Sequence, residues 1–205
     1  MPATTDRPKG KQRKKQKAET YALILESARF LFETNGFEKT TIRAVASQAE
    51  IGLGTLYKHF NNKISLLAAA LYDDLVRLSE RAVSTIPEHA NIRDQLVHLA
   101  GFTFRYYTAR PKLSREYLKH IMFVEGEWAA KIERFDASYA ETVTRLVRAA
   151  QERGEIGDDK DCDLVATAFM AGYLFVLADL FLRKNITDPE HLLAFLRDLI
   201  GQTLC

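Results

Sequence analysis

This chain is short of the residues that build disulfide, metal and strand architectures. Cysteine occurs twice in 205 residues, at Cys162 and Cys205, far apart and without metal-ligand spacing. That argues against a disulfide framework and fits a reducing compartment. No unbroken run of about 18 apolar residues occurs, which argues against a membrane-crossing helix. The N-terminus has no apolar stretch of the signal-peptide kind, so a cytoplasmic location is expected. Alternating strand patterns, Asn-Gly hairpins and internal repeats are missing too. Neither a Gly-x-Ser-x-Gly elbow, a phosphate loop, a His-Glu-x-x-His pair nor clustered carboxylates can be found, so no enzyme, cofactor or bound metal is expected.

What is present is a strong asymmetry of charge. The net value of +2 arises from 29 Lys and Arg against 27 Asp and Glu. Seven of the 29 (Arg7, Lys9, Lys11, Arg13, Lys14, Lys15 and Lys17) and only one of the 27, Asp6, lie in residues 1–17, leaving 22 basic against 26 acidic. A basic arm on a mildly acidic body suits a polyanionic partner at one end of the chain. Residues 1–15 are rich in Pro, Thr, Gly and Lys and lack apolar periodicity, which predicts a disordered arm.

From about residue 17 helical spacing takes over. Ile24, Leu25, Ala28, Leu31 and Phe32 share one face of a first helix, which Asn35-Gly36 ends. Thr41 is placed to cap a short second helix with Ile42, Val45 and Ala46 inward, and Asn62 to cap a fourth that runs to about Ser84. Breaks at Ile86-Pro87, Arg110-Pro111, Gly154–Gly157 and Thr187-Asp188-Pro189 separate helical patterns over 89–109, 112–122, 125–152, 161–184 and 188–204. The expected fold is all-α with about nine helices. Its expected divisions are an arm over 1–15, an N-terminal helix-turn-helix domain over 16–76, and a helical domain over 77–205.

Residues 40–67 carry the functional signal. Two short helices around a tight turn, followed by a capped third, form the unit that offers a helix to the DNA major groove. Leu56 and Phe60, four apart, face the core, which leaves Leu53, Thr55, Tyr57, Lys58 and His59 outward. Thr55 has a hydroxyl for phosphate or base and a methyl for thymine, and Tyr57, Lys58 and His59 can reach phosphate oxygens. Gly54 has no side chain to hold the backbone off the duplex. Lys63 at the start of the fourth helix is expected to anchor phosphate.

Phe30 through Phe37, Thr40-Thr41-Ile42-Arg43-Ala44-Val45-Ala46, Gly54-Thr55-Leu56-Tyr57-Lys58-His59-Phe60 and Lys63 together resemble the DNA-binding domain of the TetR family of bacterial transcriptional regulators. The resemblance covers about residues 17–70. It implies a sequence-specific, DNA-binding homodimer, expected to be a repressor released from a palindromic operator by a small hydrophobic or aromatic effector. Control by a protein partner without an effector is the alternative. Carried over residue by residue, the DNA-binding set is Thr40, Thr41, Arg43, Gly52, Leu53, Gly54, Thr55, Tyr57, Lys58, His59 and Lys63. Three positions depart from the family pattern. Glu50 stands where glycine usually makes the turn, Gly52 where Ser or Thr usually caps the third helix, and Ile64 where an acid usually follows the lysine.

In the resembled family the second domain dimerises through its last two long helices and encloses a ligand pocket. Residues 161–204 fit the dimer role, with stripes of Leu164, Ala168, Ala171, Gly172 and Phe175 and of Leu192, Leu193, Phe195, Leu196, Leu199 and Ile200. An aromatic population offers Phe102, Tyr106, Phe123, Trp128, Tyr139, Phe169 and Tyr173 as effector-binding candidates.

Overall fold

The computed structural model describes residues 8–182 and 188–204. Among them are nine helices and no strand: α1 (Pro8–Asn35), α2 (Ile42–Gln48), α3 (Leu53–Tyr57), α4 (Lys63–Ser84), α5 (Ile92–Ala109), α6 (Pro111–Ile121), α7 (Glu127–Glu152), α8 (Cys162–Leu182) and α9 (Pro189–Leu204). The all-α expectation is met. The chain divides into two compact units between Leu71 and Tyr72.

The first unit is a small three-helix core plus the start of α4. Ile24, Leu25, Ala28, Leu31 and Phe32 on α1 are buried, as their spacing required, together with Val45 and Ala46 on α2 and Leu56 and Phe60 around α3. Gly36 ends α1 at φ 83, a left-handed value that suits glycine. Thr41 caps α2 by accepting from the Ala44 amide at 3.0 Å. Asn62 and Ser65 form a reciprocal cap on α4: Asn62 Oδ1 accepts from the Ser65 amide at 2.7 Å, and the Asn62 amide donates to Ser65 Oγ at 3.3 Å.

Where a disordered arm was expected, the helix continues. Residues from Pro8 form the first turns of α1, exposed from Gly10 on. Lys, Gln and Arg are strong helix formers, and Lys15 pairs with Glu19 one turn on at 3.8 Å. A sequence without a core-facing stripe can therefore still be helical when it extends a helix nucleated by packing further along. Residues 1–7 lie outside the described part.

In the second unit α5 is the centre. Eleven of its 18 residues are buried, and it packs along α9 and against α7. Its N-cap is Asn91, which accepts from the Asp94 amide at 2.9 Å and so starts the helix later than residue 89. The α7–α8 turn closes with Gly154 at φ 73, its amide and that of Glu155 returning to the carbonyls of Gln151 and Ala150 at 2.9 Å each. Helix α8 is long and apolar enough over Cys162–Asp179 to span a bilayer by composition, but it is packed between α7 and α9 as a core helix.

Packing corrects the two C-terminal stripes. Leu192, Leu193, Leu196 and Ile200 are buried and build this unit's own core. Gly172 is buried as well: a Cβ there would come within 2.7 Å of Leu199, so the small residue admits α9 rather than a second molecule. The residues left outward are Leu164, Leu174 and Phe175 on α8 and Phe195 on α9.

Candidate nucleic-acid interface

The turn between α2 and α3 sets the aim of the third helix. The Ile51 amide reaches back to Ala46 O at 3.0 Å and the Glu50 amide to Ser47 O at 3.1 Å. This is the same double closure that Gly154 makes after α7. Here the left-handed position is held by Glu50 at φ 53, among the described residues the one non-glycine with positive φ. Holding it there costs about 1–2 kcal/mol, which the burial of Ala49 and Leu56 on either side offsets. Glu50 is exposed.

Gly52 caps α3 without a side-chain bond, and five residues follow. Leu56 and Phe60 point inward. Tyr57 and Lys58 are exposed, while Leu53, Thr55 and His59 are partly covered. Cβ atoms placed on Gly52 and Gly54 would meet nothing closer than 3.9 Å, so no crowding within the chain calls for glycine at either position. Thr41 and Arg43 at the start of α2 are exposed too.

One support was not visible in the spacing of α2 and α3. Tyr21 on α1 stacks on Phe60 with ring centroids 5.5 Å apart and tilts against His59 at 6.0 Å. Its place four residues before Leu25, on the buried face of α1, was the available signal. His59 is held below its ordinary pKa, first by partial burial and then by the charge of Lys17.

Two of the expected DNA contacts are engaged within the chain. Thr40 is 1% exposed, and its hydroxyl is directed at the carbonyls of Leu31 (3.0 Å) and Gly36 (2.8 Å). It ties the end of α1 to the start of α2. The Lys63 ammonium donates to Phe37 O at 2.8 Å and lies 4.2 Å from the Phe37 ring centroid. It fastens the α1–α2 loop, where it also lies 3.4 Å from the Glu38 carbonyl. What remains is a surface in which Thr41, Arg43, Gly52, Leu53, Gly54, Thr55, Tyr57, Lys58 and His59 come from two helices and one turn, with the exposed cations of α1 in the same unit.

Residues 24–70 match the profile of the family described as bacterial regulatory proteins, tetR family. Over these residues the chain carries the DNA-binding domain of the TetR family. As such it is a helix-turn-helix, DNA-binding transcriptional regulator. The HTH-type transcriptional regulator UidR of Escherichia coli (strain K12) is 28% identical to it over 190 residues, covering 90% of this chain and 93% of that one. Among solved structures, a FadR regulator from Bacillus subtilis in complex with stearoyl-CoA superposes with a TM-score of 0.72 at 18% identity, covering 90% of this chain and 97% of that one. A regulator from Saccharomonospora viridis in complex with choline gives 0.72 at 21% identity, with 90% and 96% covered.

The effector candidates of this TetR-family chain do not form one group. Tyr173 is a hub: it stacks on Phe104 at 5.2 Å, tilts against Tyr139 and Phe169, and donates its hydroxyl to Thr103 Oγ1 at 2.7 Å. Tyr106 instead donates to Asp74 Oδ2 at 2.7 Å, under the Arg110 guanidinium. Phe102 lies against His98, 5.3 Å away, and Trp128 against Tyr72 at 5.7 Å. Phe123 is 84% exposed and lines nothing. An aromatic census cannot tell these faces apart, since it ignores which way each helix is turned. Burial pushes the phenols of Tyr107, Tyr117, Tyr139 and Tyr173 well above their ordinary range, so all four stay protonated at physiological pH. A small apolar cleft between α5, α8 and α9, lined by Leu96, Phe169, Leu196 and Leu199, has room only for a molecule of about the size of water.

Proposed function

We propose that this TetR-family regulator is a homodimeric repressor that sits on a palindromic operator in the cytoplasm and releases it when a small, largely apolar effector occupies the second domain. In this reading residues 16–76 bind DNA, with Thr41, Arg43, Gly52, Leu53, Gly54, Thr55, Tyr57, Lys58 and His59 at the duplex, and residues 77–205 bind effector and partner subunit. The observation that carries it is the outward polar edge of α3 beside two glycines that the chain's own packing leaves free. A glycine with open space above it makes sense when the duplex backbone takes that space.

Dimer formation is supported by the outward residues of α8 and α9. Leu164, Leu174, Phe175 and Phe195 are each about half exposed or more, an apolar set that a twofold partner would cover. Two recognition helices about 34–36 Å apart would then meet successive major grooves. An effector that prefers another separation lowers DNA affinity by shifting the population. Regulators of this fold in complex with stearoyl-CoA or choline support control by a small molecule.

The test is fluorescence anisotropy with DNA from upstream of the chain's own gene. Thr55→Ala, Tyr57→Phe and Lys58→Gln are each expected to weaken binding by about 1–3 kcal/mol, and native mass spectrometry should show a dimer. Unchanged affinity in all three variants would remove the DNA-binding assignment of α3. Removal of residues 1–16 should flatten the salt slope by about 0.9 for each phosphate that the shortened chain no longer neutralises.

A further inference from the structure

The stripe that packs α1 into the first unit does not stop where the core stops. From Ile24 to Phe32 that face is buried and apolar. Toward the N-terminus the same three- and four-residue steps reach Tyr21, then Lys17, Lys14, Arg13 and Gly10. Tyr21 is partly covered, and the four earlier residues are exposed. A face that is apolar inside the unit is therefore cationic beyond it. The overhang from Gly10 to Tyr21 is helical throughout and roughly 16 Å long at the usual rise per residue.

The near end of this cationic face adjoins the recognition segment. The Tyr21 ring stacks on Phe60 and tilts against His59. Lys17, one turn earlier, is near enough for its charge to help lower the His59 pKa. Tyr57 and Lys58, both exposed, directly precede His59. The cations of the overhang thus continue the surface that α3 presents, within one unit.

Nothing in the described chain balances them. The one acid of the overhang, Glu19, lies on the opposite side of the helix and pairs with Lys15 at 3.8 Å. Among the described residues no carboxylate pairs with Arg13, Lys14 or Lys17, and Arg13 and Lys17, one turn apart, repel each other. An apolar partner would have to cover unpaired cations, which is unfavourable. A polyanion relieves the repulsion, and continuity with α3 selects duplex DNA over an acidic protein surface. We propose that Arg13, Lys14 and Lys17 form a rigid phosphate rail, in which the overhang of α1 lies against the DNA backbone flanking the groove that α3 enters and adds sequence-independent affinity. The inference rests on the DNA-binding reading of α3 and extends the contact beyond the helix-turn-helix. Because the cations ride on a helix continuous with the core, their positions are fixed relative to α3, unlike those of a flexible arm.

Two pairs of substitutions remove equal charge from different sides of the helix. Arg13→Gln with Lys17→Gln clears the rail, and Lys11→Gln with Lys15→Gln clears the far side. A third variant, Ala18→Pro, keeps every cation but breaks the helix at an exposed position between rail and core. Anisotropy of the full-length chain is followed across a salt series, on its own upstream duplex and on a scrambled duplex of equal length. The Arg13 and Lys17 pair is expected to bind both duplexes roughly tenfold more weakly at about 0.1 M salt, with a slope lower by about 0.9 for each lost contact. The Lys11 and Lys15 pair should stay within about threefold of the parent, since charges a Debye length from phosphate are largely screened. Ala18→Pro should match the first pair while keeping the parent's melting temperature. Equal losses in the two pairs, or an Ala18→Pro variant with the parent's affinity and slope, overturn the rail in favour of a flexible arm. Parental affinity in the Arg13 and Lys17 pair overturns it in favour of a solvated face. The α3 reading is judged separately, by the parent's preference for the upstream duplex over the scrambled one. A loss at the rail without that preference keeps the rail and removes sequence-specific recognition, and a parent that binds neither duplex overturns both.

Discussion

The ring of Tyr21, on the first helix, lies stacked over that of Phe60 just beyond the third, with centroids 5.5 Å apart and planes 27° from parallel. Because His59 leans on the same ring, one side chain of α1 orients the end of the recognition segment. Tyr21→Ala should therefore cost about 2 kcal/mol of stability, part of the usual penalty for truncating a buried aromatic, since Tyr21 is only partly covered. Operator affinity should fall beyond what the smaller folded fraction explains. Tyr21→Phe should keep both. Denaturant melts paired with anisotropy at saturating folded fraction would separate the two effects.

Thr40 and Thr55 are both hydroxyl residues of the helix-turn-helix and should behave oppositely. Thr40→Val removes the one hydroxyl proton that the carbonyls of Leu31 and Gly36 share in a buried corner and is expected to lower stability by about 1–2 kcal/mol. The operator salt slope of the folded protein should not change. Thr55→Val should leave the melting temperature nearly unaltered and weaken operator binding. A Thr40→Val variant with normal stability and impaired DNA binding would reverse this division.

Glu50→Gly removes a left-handed non-glycine residue and an exposed carboxylate from the side of the unit expected to meet phosphate. Stability should rise by about 1 kcal/mol. Non-specific DNA affinity should rise too, most visibly at low salt, where a like-charge repulsion is least screened. A fall in thermal stability on this substitution would mean that the Glu50 side chain makes a bond worth more than the strain.

His59 predicts a pH dependence with a defined sign. Its folded pKa is below the ordinary value, so the unfolded chain takes up a proton first as pH falls. The resulting stability is fully present above about pH 6.5 and is lost as pH drops through the window between 6.5 and the lower folded value. Phosphate beside His59 would favour the protonated ring, so operator affinity should increase over the same fall in pH. His59→Gln should abolish that increase. Identical pH profiles for the variant and the original protein would place His59 away from the duplex.

Much of the fold is legible in the sequence because helices announce themselves locally. Gly36, Thr41, Asn62, Pro87 and Pro111 mark starts and stops that depend only on nearby backbone groups, and the stripe from Ile24 to Phe32 shows which face of α1 goes inward. The basic stretch from Pro8 to Lys15 reads as disordered because it has no apolar stripe, although residues that favour helix can extend one already nucleated. Within the site, Thr55, Tyr57 and Lys58 can be placed outward once Leu56 and Phe60 are assigned inward. Thr40 and Lys63 cannot be placed this way, since their partners, Leu31, Gly36 and Phe37, are reached only after the chain has turned back.

The order of residues by itself determined the class of the fold, the position of the recognition helix and the family, because periodicity and capping act over a few residues. Tertiary structure alone decided which hydroxyls and cations are held inside, and that Gly172 and Leu192 serve the core of their own unit. It also decided that on α7 Tyr139 is buried and Asp136 exposed, while Phe123 faces water. Those outcomes depend on how helices distant in sequence are rotated against one another, which composition and spacing do not encode.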